Sequence, residues 1–317
     1  MRHPTPTLAL LISCLLLTAA LAAAAPPAFV LTDPARDDHG DGTLKYPLVA
    51  ELREGDLDLV ELAAEPAADG TWFVATMRRN IRPPGGRIVD ATGTTEAQSA
   101  RLGFYAFNID IYIDIDRVPG SGRTSTLPGR KLTVAPETAW ERAVILSPRP
   151  ELSALVVRQE LARRAKAAVR EEKPRVDDSD LAAARQEARE ALESDFWFAR
   201  SVQVTGRRVK FFVPNSFLGG PARADWAYAV VVTGASLESR FDTTTLIGKA
   251  GVADNYLLVP VGSGLSAEHF AGREDDPLQP PVVDLIVPAG QSQEAVLGDY
   301  DVRTGRMAQI TGVVPGP

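Results

Sequence analysis

The sequence predicts a mainly β protein, an antiparallel β-sandwich with an inserted α-helical hairpin. Three observations lead to this fold class. Short β-branched and aromatic runs, bounded by glycine and proline, fill both ends of the chain. Residues 108–116, NIDIYIDID, alternate apolar and polar side chains with the period of a strand. Residues 151–195 form one helical block, and the chain lacks the alternating strand–helix rhythm of parallel α/β proteins.

The first 24 of the 317 residues are predicted to be a secretory signal peptide. The apolar stretch 8–25 ends in small residues, and Ala-Ala-Ala at 22–24 fits an A-x-A cleavage pattern. Its length is near the minimum for a membrane span, but the alanine-rich end favours cleavage. LISC at 11–14 also resembles a lipoprotein box, so a lipid anchor at Cys14 is an alternative. We therefore expect a secreted or periplasmic protein with no membrane span in the mature chain.

Residues 29–145 show a pattern of strands and turns. In 108–116 four isoleucines alternate with three aspartates and Tyr112, which predicts a strand with one face on a core. Further strands are predicted at DLDLVEL (56–62), WFVATM (72–77) and KLTV (131–134), which glycine- and proline-rich turns separate.

The segment 151–195 has the composition of a helical hairpin. Leu181, Ala184 and Ala188 recur at three- and four-residue steps, which places a narrow apolar stripe on a helix. Pro174 breaks the run, and Asp177 or Ser179 is a candidate N-cap for the second helix. The simplest interpretation is that the stripe packs on the body of the domain; the alternative is a surface for a partner or a second copy.

Strands are predicted again after residue 196. The candidate runs are RVKFFVP (208–214), DWAYAVVVTG (225–234), NYLLVPV (255–261) and PVVDLIVP (281–288). With no internal repeat and no low-complexity linker, residues 25–317 are predicted to be one domain with an insertion at 151–195.

Composition and motifs exclude several functions. The only cysteine is Cys14, so the mature chain has no disulfide, thiolate zinc site or cysteine nucleophile. A net charge of −7 disfavours nucleic acid as a partner. Only His39 and His269 remain outside the signal peptide, and no nucleophile elbow, zinc-protease helix or phosphate loop occurs. We therefore expect a protein that is not an enzyme.

The mature chain opens with an aspartate-rich stretch, DPARDDHGDG, at 33–42. It is not an EF-hand, because the position of the bidentate acid is taken by Leu48. Aspartate and glycine are also common in simple turns, where the carboxylate bonds its own backbone. The stretch is thus either a cation-binding loop or a solvated turn.

An ordered set of segments resembles a known family. DPARDDHGDGTLKYP, GDLDL (55–59), NIDIYIDID, LPGRKLTVAPETAWERAVIL (127–146) and VVDLIVPAGQSQEAVLGDY (282–300) follow one another as in the C-terminal binding module of glucodextranase. That S-layer-homology-like module resembles DOMON-like and family-nine carbohydrate-binding β-sandwiches. The resemblance implies a sandwich that binds a polysaccharide or cell-envelope glycan. Where the family has an aromatic-rich W-x-F-G-G stretch, this chain has HFAG at 269–272.

The resemblance also implies candidate site residues. Calcium supports loops in related sandwiches, and its expected oxygen ligands here are Asp33, Asp37, Asp38, Asp56 and Asp58.

Sugar stacking needs an exposed aromatic face, and the candidates for ligand binding are Trp72, Trp197, His269 and Phe270. Trp140 and Trp226 are instead predicted to anchor the core.

The signal peptide, the lack of catalytic motifs and the resemblance together predict a non-catalytic extracytoplasmic binding module. The alternative is a structural or protein-interaction module that acts through the 151–195 hairpin, which could also form a homo-oligomer.

Overall fold

The computed structural model describes residues 26–90, 92–173, 175–237, 256–273 and 276–316. The predicted signal peptide, with Cys14, lies outside these residues. Within them, none of the helices combines the length and the apolar character that a bilayer crossing would require.

Fourteen strands and five α-helices make up the described chain. The strands are β1 (Phe29–Thr32), β2 (Leu59–Pro66), β3 (Gly70–Met77), β4 (Phe107–Asp114), β5 (Leu132–Val134), β6 (Arg142–Leu146), β7 (Phe196–Phe198), β8 (Val202–Thr205), β9 (Arg208–Pro214), β10 (Ala227–Gly234), β11 (Val261–Gly262), β12 (Phe270–Ala271), β13 (Val282–Ile286) and β14 (Ala308–Ile310). The helices are α1 (Glu96–Ser99), α2 (Pro150–Glu172), α3 (Asp178–Asp195), α4 (Asn215–Leu218) and α5 (Gln293–Gly298).

Two five-stranded sheets form the sandwich, and the predicted fold class is confirmed. Sheet I has the order β1-β2-β3-β9-β8 and sheet II the order β13-β10-β4-β6-β7. Every pairing within them is antiparallel except that of β6 with β7. The main core lies between the sheets, where Leu62 and Phe73 of sheet I share a cluster with Ile111 and Val230 of sheet II.

A third layer covers the outer face of sheet II. It contains the parallel pair β5–β14, helix α5 and the start of α2, and its side chains form a second core around Tyr112 and Trp140. Strand β4 is therefore buried on both faces, whereas its alternation predicted one buried face. The charge in the middle of β4 is paired: Asp110 and Arg130 form a buried ion pair with Nε to Oδ2 at 2.7 Å.

The predicted helical hairpin is confirmed. Helices α2 and α3 pack on each other, and Asp177 caps α3 by accepting hydrogen bonds from the backbone N–H groups of Ser179 and Asp180. The hairpin meets the body near β6 and β7. No α2 residue beyond Glu160 is fully buried, so the outer half of α2 is covered only in part.

Two other sequence predictions have different outcomes. Trp140 and Trp226 are buried, at 1% and 7% exposure, which confirms their place in the core. The strand predicted at 255–261 is wrong over most of its described length, because Tyr256 and Leu257 have φ of 48° and 63°. Positive φ is incompatible with an extended strand, and only Val261 enters one.

Candidate functional site

An acidic cluster lies where the edge strands β1 and β13 approach each other. Asp33 directly follows β1, and the turn after it carries Asp37 and Asp38. Asp58 immediately precedes β2, and Asp284 occupies the middle of β13. The backbone N–H of Leu59 donates to Oδ2 of Asp284 at 2.6 Å, so the cluster joins the two sheets at this edge.

The aspartate-rich turn is held against β13 by close backbone contacts. Gly40 donates its N–H to the carbonyl of Val283 at 2.9 Å and has φ of 58°. A side chain there would place its Cβ 2.6 Å from the carbonyl oxygen of Val282, so only glycine fits. The side-chain amide of Gln293, at the start of α5, donates to the carbonyls of Asp37 at 2.6 Å and Gly40 at 3.2 Å.

Three carboxylates converge at the centre of the cluster. Asp33, Asp37 and Asp284 each offer an oxygen, and these oxygens lie within 4.8 Å of one another. Asp58 accepts from the backbone N–H of Arg36 at 2.7 Å and from Nη1 of Arg78 at 3.2 Å.

Asp38 is fully buried beside this centre. Its Oδ2 accepts hydrogen bonds from the hydroxyl of Tyr46 and from the backbone N–H of Gly55.

One oxygen on each of several side chains remains without a hydrogen bond. These oxygens are buried and have no hydrogen-bond partner among the described residues: Asp33 Oδ2, Asp37 Oδ1, Asp38 Oδ1, Asp58 Oδ1 and Gln293 Oε1. A buried acceptor without a partner costs about 1–3 kcal/mol, and more when it is charged. Such a set of buried acceptor oxygens suits an electrophilic ligand such as a cation.

The electrostatics of the cluster also suit a cation, because its carboxyl groups have raised pKa values. Burial, followed by the charges of Asp37 and Asp58, raises the pKa of Asp33 to about 8. Burial, with the charges of Asp58, Asp38 and Glu294, raises the pKa of Asp37 to about 6. The pKa of Asp284 is also raised, first by burial and then by Asp33. A bound cation would reverse these shifts, because it favours the ionised carboxylates.

The donor set fits calcium among common metal ions. Every candidate ligand is a carboxylate or amide oxygen, which suits a hard cation taking six to eight oxygen ligands. Of the five aspartates expected from the sequence, Asp33, Asp37, Asp38 and Asp58 lie together. Asp56 lies apart: it pairs with Nη2 of Arg82 and accepts the backbone N–H of Arg53 at 2.8 Å.

Sequence reasoning missed Asp284 and Gln293. Asp284 was visible as the only charged residue within PVVDLIVP, and a charge inside an apolar strand is unusual unless it is paired. Gln293 carries no such signal, because a glutamine at the start of a short helix is ordinary.

Among the aromatic candidates, Trp72 lies on the outer face of sheet I. It is the cross-strand partner of Phe212 in the neighbouring strand β9, and the two ring centres are 5.2 Å apart with an interplanar angle of 59°. Nζ of Lys210 lies 5.3 Å from the indole centre and forms an ion pair with Glu65. Both rings are half-buried, so part of each faces solvent between a cation and an anion.

The other three candidates are less open. Trp197 is half-buried rather than exposed: its ring packs on Phe217, and its Nε1 donates to the carbonyl of Phe212 at 3.1 Å. Phe270 is fully buried against Tyr46 and must be removed from the ligand-binding candidates, because no face of its ring is accessible. His269 is half-buried, with Nδ1 3.0 Å from the carbonyl of Phe270.

Comparison with known proteins places this architecture in a family. A family model described as the C-terminal binding module, S-layer-homology-like, of glucodextranase matches residues 28–312. The chain belongs to this family. No curated protein matches the chain.

Membership of the glucodextranase C-terminal module family confirms the resemblance seen in the sequence. The match includes the acidic cluster, the outer face of sheet I and the inserted hairpin. The family is one of binding modules and not of catalytic domains.

Proposed function

We propose that the protein is a non-catalytic extracytoplasmic binding module for polysaccharide or cell-envelope glycan, and that calcium stabilises it. The observation that carries the ligand class is the aromatic pair Trp72–Phe212 on the outer face of sheet I. Sugar rings have apolar C–H faces and polar rims, and aromatic rings bordered by charged side chains complement both. Lys210 and Glu65 supply such a border. Membership of a binding-module family supports the same assignment.

Calcium has a structural role in this proposal. The cation would be held by Asp33, Asp37 and Asp284, with Asp38, Asp58 and Gln293 as further oxygen donors. These residues come from the turn after β1, the approach to β2, strand β13 and helix α5. A cation bound there would fix four separate chain segments and would hold the open edge of the sandwich together.

Substitution of the aromatic pair tests glycan binding. The probes are dextran, soluble starch and isolated peptidoglycan, measured by retardation in polymer-containing gels and by pull-down. We expect wild-type protein to bind at least one polymer and Trp72→Ala/Phe212→Ala to bind it at least tenfold more weakly, a loss of about 1.4 kcal/mol. Melting curves verify that the variant remains folded.

The control for this experiment is Leu265→Ala. Leu265 is 61% exposed and lies between β11 and β12, outside sheet I, so its removal should leave binding unchanged. Equal binding by the aromatic variant and the wild type would show that the polymer does not bind at this face. A wild-type protein that binds none of the three polymers would contradict the proposed ligand class.

The alternative function, an interaction through the hairpin, is favoured by the partial exposure of its outer half. Replacing residues 166–182 with a short Gly-Ser turn removes the outermost turns and keeps buried Glu160 with its ion-pair partners Arg163 and Arg164, together with buried Ala184. We expect the shortened protein to melt at a similar temperature and to bind the same polymer. A dimer that becomes a monomer on size exclusion, with polymer binding retained, would instead assign self-association to the hairpin.

A further inference from the structure

A second group of carboxylates lies at the far end of β4. Asp114 is the last residue of β4, Asp116 follows two positions later, and Glu141 immediately precedes β6. Each offers an oxygen, and the three oxygens lie within 4.8 Å of one another. Asp284 pairs with Val232, which pairs with Ile109. Asp114 is five residues farther along β4, about 17 Å at the usual rise of a strand, so the two clusters are separate.

The group contains a buried oxygen with no hydrogen bond. Asp114 is 1% exposed, and its Oδ1 accepts the backbone N–H of Arg117 at 2.7 Å. Its Oδ2 is buried without a hydrogen-bond partner in the described part of the chain. The Nε of Arg117 lies 4.0 Å from Oδ2, beyond hydrogen-bond distance, and that side chain is 39% exposed. Arg117 thus forms a long ion pair with Oδ2, and a cation within the group would give this oxygen a closer electrophile.

The other two carboxylates are held in place by the surrounding chain. Glu141 Oε2 accepts the backbone N–H of Ile115 at 2.9 Å. Asp116 Oδ1 accepts the backbone N–H of Val118 at 2.8 Å. The hydroxyl of Ser121 lies between them, 3.0 Å from Asp116 Oδ1 and 3.2 Å from Glu141 Oε1. The carboxylates are thus oriented before any ligand arrives.

The charges of this group repel one another. Burial, followed by the charges of Asp116 and Asp114, raises the pKa of Glu141. Burial is also the largest influence on the pKa of Asp114 and raises it; the backbone N–H and the charge of Arg117 oppose this shift, and the charge of Asp116 adds to it. Two of the three members therefore carry an electrostatic cost when ionised, which a cation would remove.

We propose that Asp114, Asp116 and Glu141 form a second cation site, selective for calcium-like hard ions and independent of the cluster around Asp33. The donors are carboxylate oxygens, with the hydroxyl of Ser121 alongside, and no nitrogen or sulfur ligand is present in the group. Asp116 is exposed, so water can complete the coordination.

The site would order the loop between β4 and β5. Residues 116–122, DRVPGSG, contain two glycines and a proline and connect the cluster to Arg123. Nη2 of Arg123 lies 2.6 Å from Oδ2 of Asp195, the last residue of α3. Cation binding at this loop would therefore also stiffen the base of the hairpin.

Terbium luminescence tests the site in the full mature chain. Trp140 precedes Glu141 in the sequence, whereas the first cluster has an aromatic contact with a tyrosine, Tyr46, through Asp38. Excitation in the tryptophan band therefore reports terbium at the second site, and calcium displaces it. We expect Asp116→Asn/Glu141→Gln to lose at least nine-tenths of this signal and one equivalent of bound calcium in titration calorimetry. Both substitutions keep the oxygen that accepts the local backbone N–H.

Two controls separate the outcomes. Asp225→Asn/Glu187→Gln makes the same change in net charge at exposed positions and should keep the signal. Asp33→Asn/Asp37→Asn should also keep it, so failure of the first cluster does not affect this test. An unchanged tryptophan-sensitised signal and unchanged calcium stoichiometry in Asp116→Asn/Glu141→Gln would overturn the proposal, as would the absence of any such signal from the wild-type protein.

Discussion

Millimolar calcium is expected to raise the melting temperature of the protein by several degrees over its value in excess EDTA. A ligand at about 100 times its dissociation constant adds roughly 2.7 kcal/mol of stability, which supports a shift of this size. Asp33→Asn/Asp37→Asn should abolish most of the shift, because it removes two central carboxylates of the first cluster while it preserves their shape. Differential scanning calorimetry in both conditions makes the measurement.

The same variant should have the opposite effect when calcium is removed. In EDTA, burial and mutual repulsion work against ionised Asp33 and Asp37, as their raised pKa values of about 8 and about 6 indicate. Neutral asparagines remove that cost, so the variant should melt above the wild type in EDTA and below it in calcium. A variant with lower stability in both conditions would indicate a purely structural role for these aspartates.

The pH dependence of the calcium-free protein follows from the same shifts. Between about pH 4 and pH 8 the folded state holds more protons on Asp33 and Asp37 than the unfolded state, whose carboxyls have pKa values near 3.8. Stability must therefore fall as the pH rises through this window. Protons also compete with calcium, so the calcium-induced shift should be larger at pH 8 than at pH 6.

Asp56→Asn is the matched control for the calcium experiments. Asp56 belongs to the same acidic region of the sequence but pairs with Arg82. Its substitution should change stability slightly and leave the calcium-induced shift intact. Loss of that shift in Asp56→Asn would contradict the ligand set derived from the structure.

Arg130→Ala is expected to be severely destabilising, by about 3–5 kcal/mol. Arg130 is 5% exposed and binds the 1%-exposed Asp110 through Nε to Oδ2 at 2.7 Å and Nη2 to Oδ1 at 3.2 Å. Burial works to lower the pKa of Arg130, but the charge and hydrogen bonds of Asp110 raise it above its usual value. The substitution leaves Asp110 charged and unpaired beneath the third layer. Thermal unfolding should show a drop on the order of 10 °C.

Asp110→Leu/Arg130→Met tests whether the unpaired charge of Asp110 causes the loss of stability in Arg130→Ala. The double variant removes both charges and keeps apolar volume, so it should recover most of the stability that Arg130→Ala loses. Equal destabilisation by the single and the double variant would show that packing and the bond from Nη1 of Arg130 to the carbonyl of Pro128, at 3.0 Å, dominate instead.

Much of the architecture could be predicted from local sequence. β-Branched and aromatic runs bounded by glycine and proline identified β3, β9, β10 and β13. Strand period two identified β4, and the helical step with its Asp177 cap identified the hairpin. Both signals arise from neighbouring residues, because side chains alternate along a strand and recur along a helix face. The grouping of the opening aspartates with Asp58 came instead from the resemblance to the family.

Other features depended on contacts between residues that are distant in the sequence. The alternation of β4 showed two distinct faces but could not show that a third layer buries the second one. Asp284 lies next to Asp33 because the edge strands β13 and β1 approach each other. Asp56 lies outside the cluster and forms an ion pair with Arg82.

The sequence by itself determined the strands, the inserted hairpin and the family. It also limited the acidic opening stretch to a cation-binding loop or a solvated turn, because composition and short-range periodicity are local properties of the chain. Only the tertiary structure decided which oxygens converge, that Phe270 is buried and that Trp72 borders solvent. These outcomes depend on how the sheets pack and on which side chains cover one another. Packing brings together residues that are far apart in the sequence, and no local periodicity indicates that they will meet.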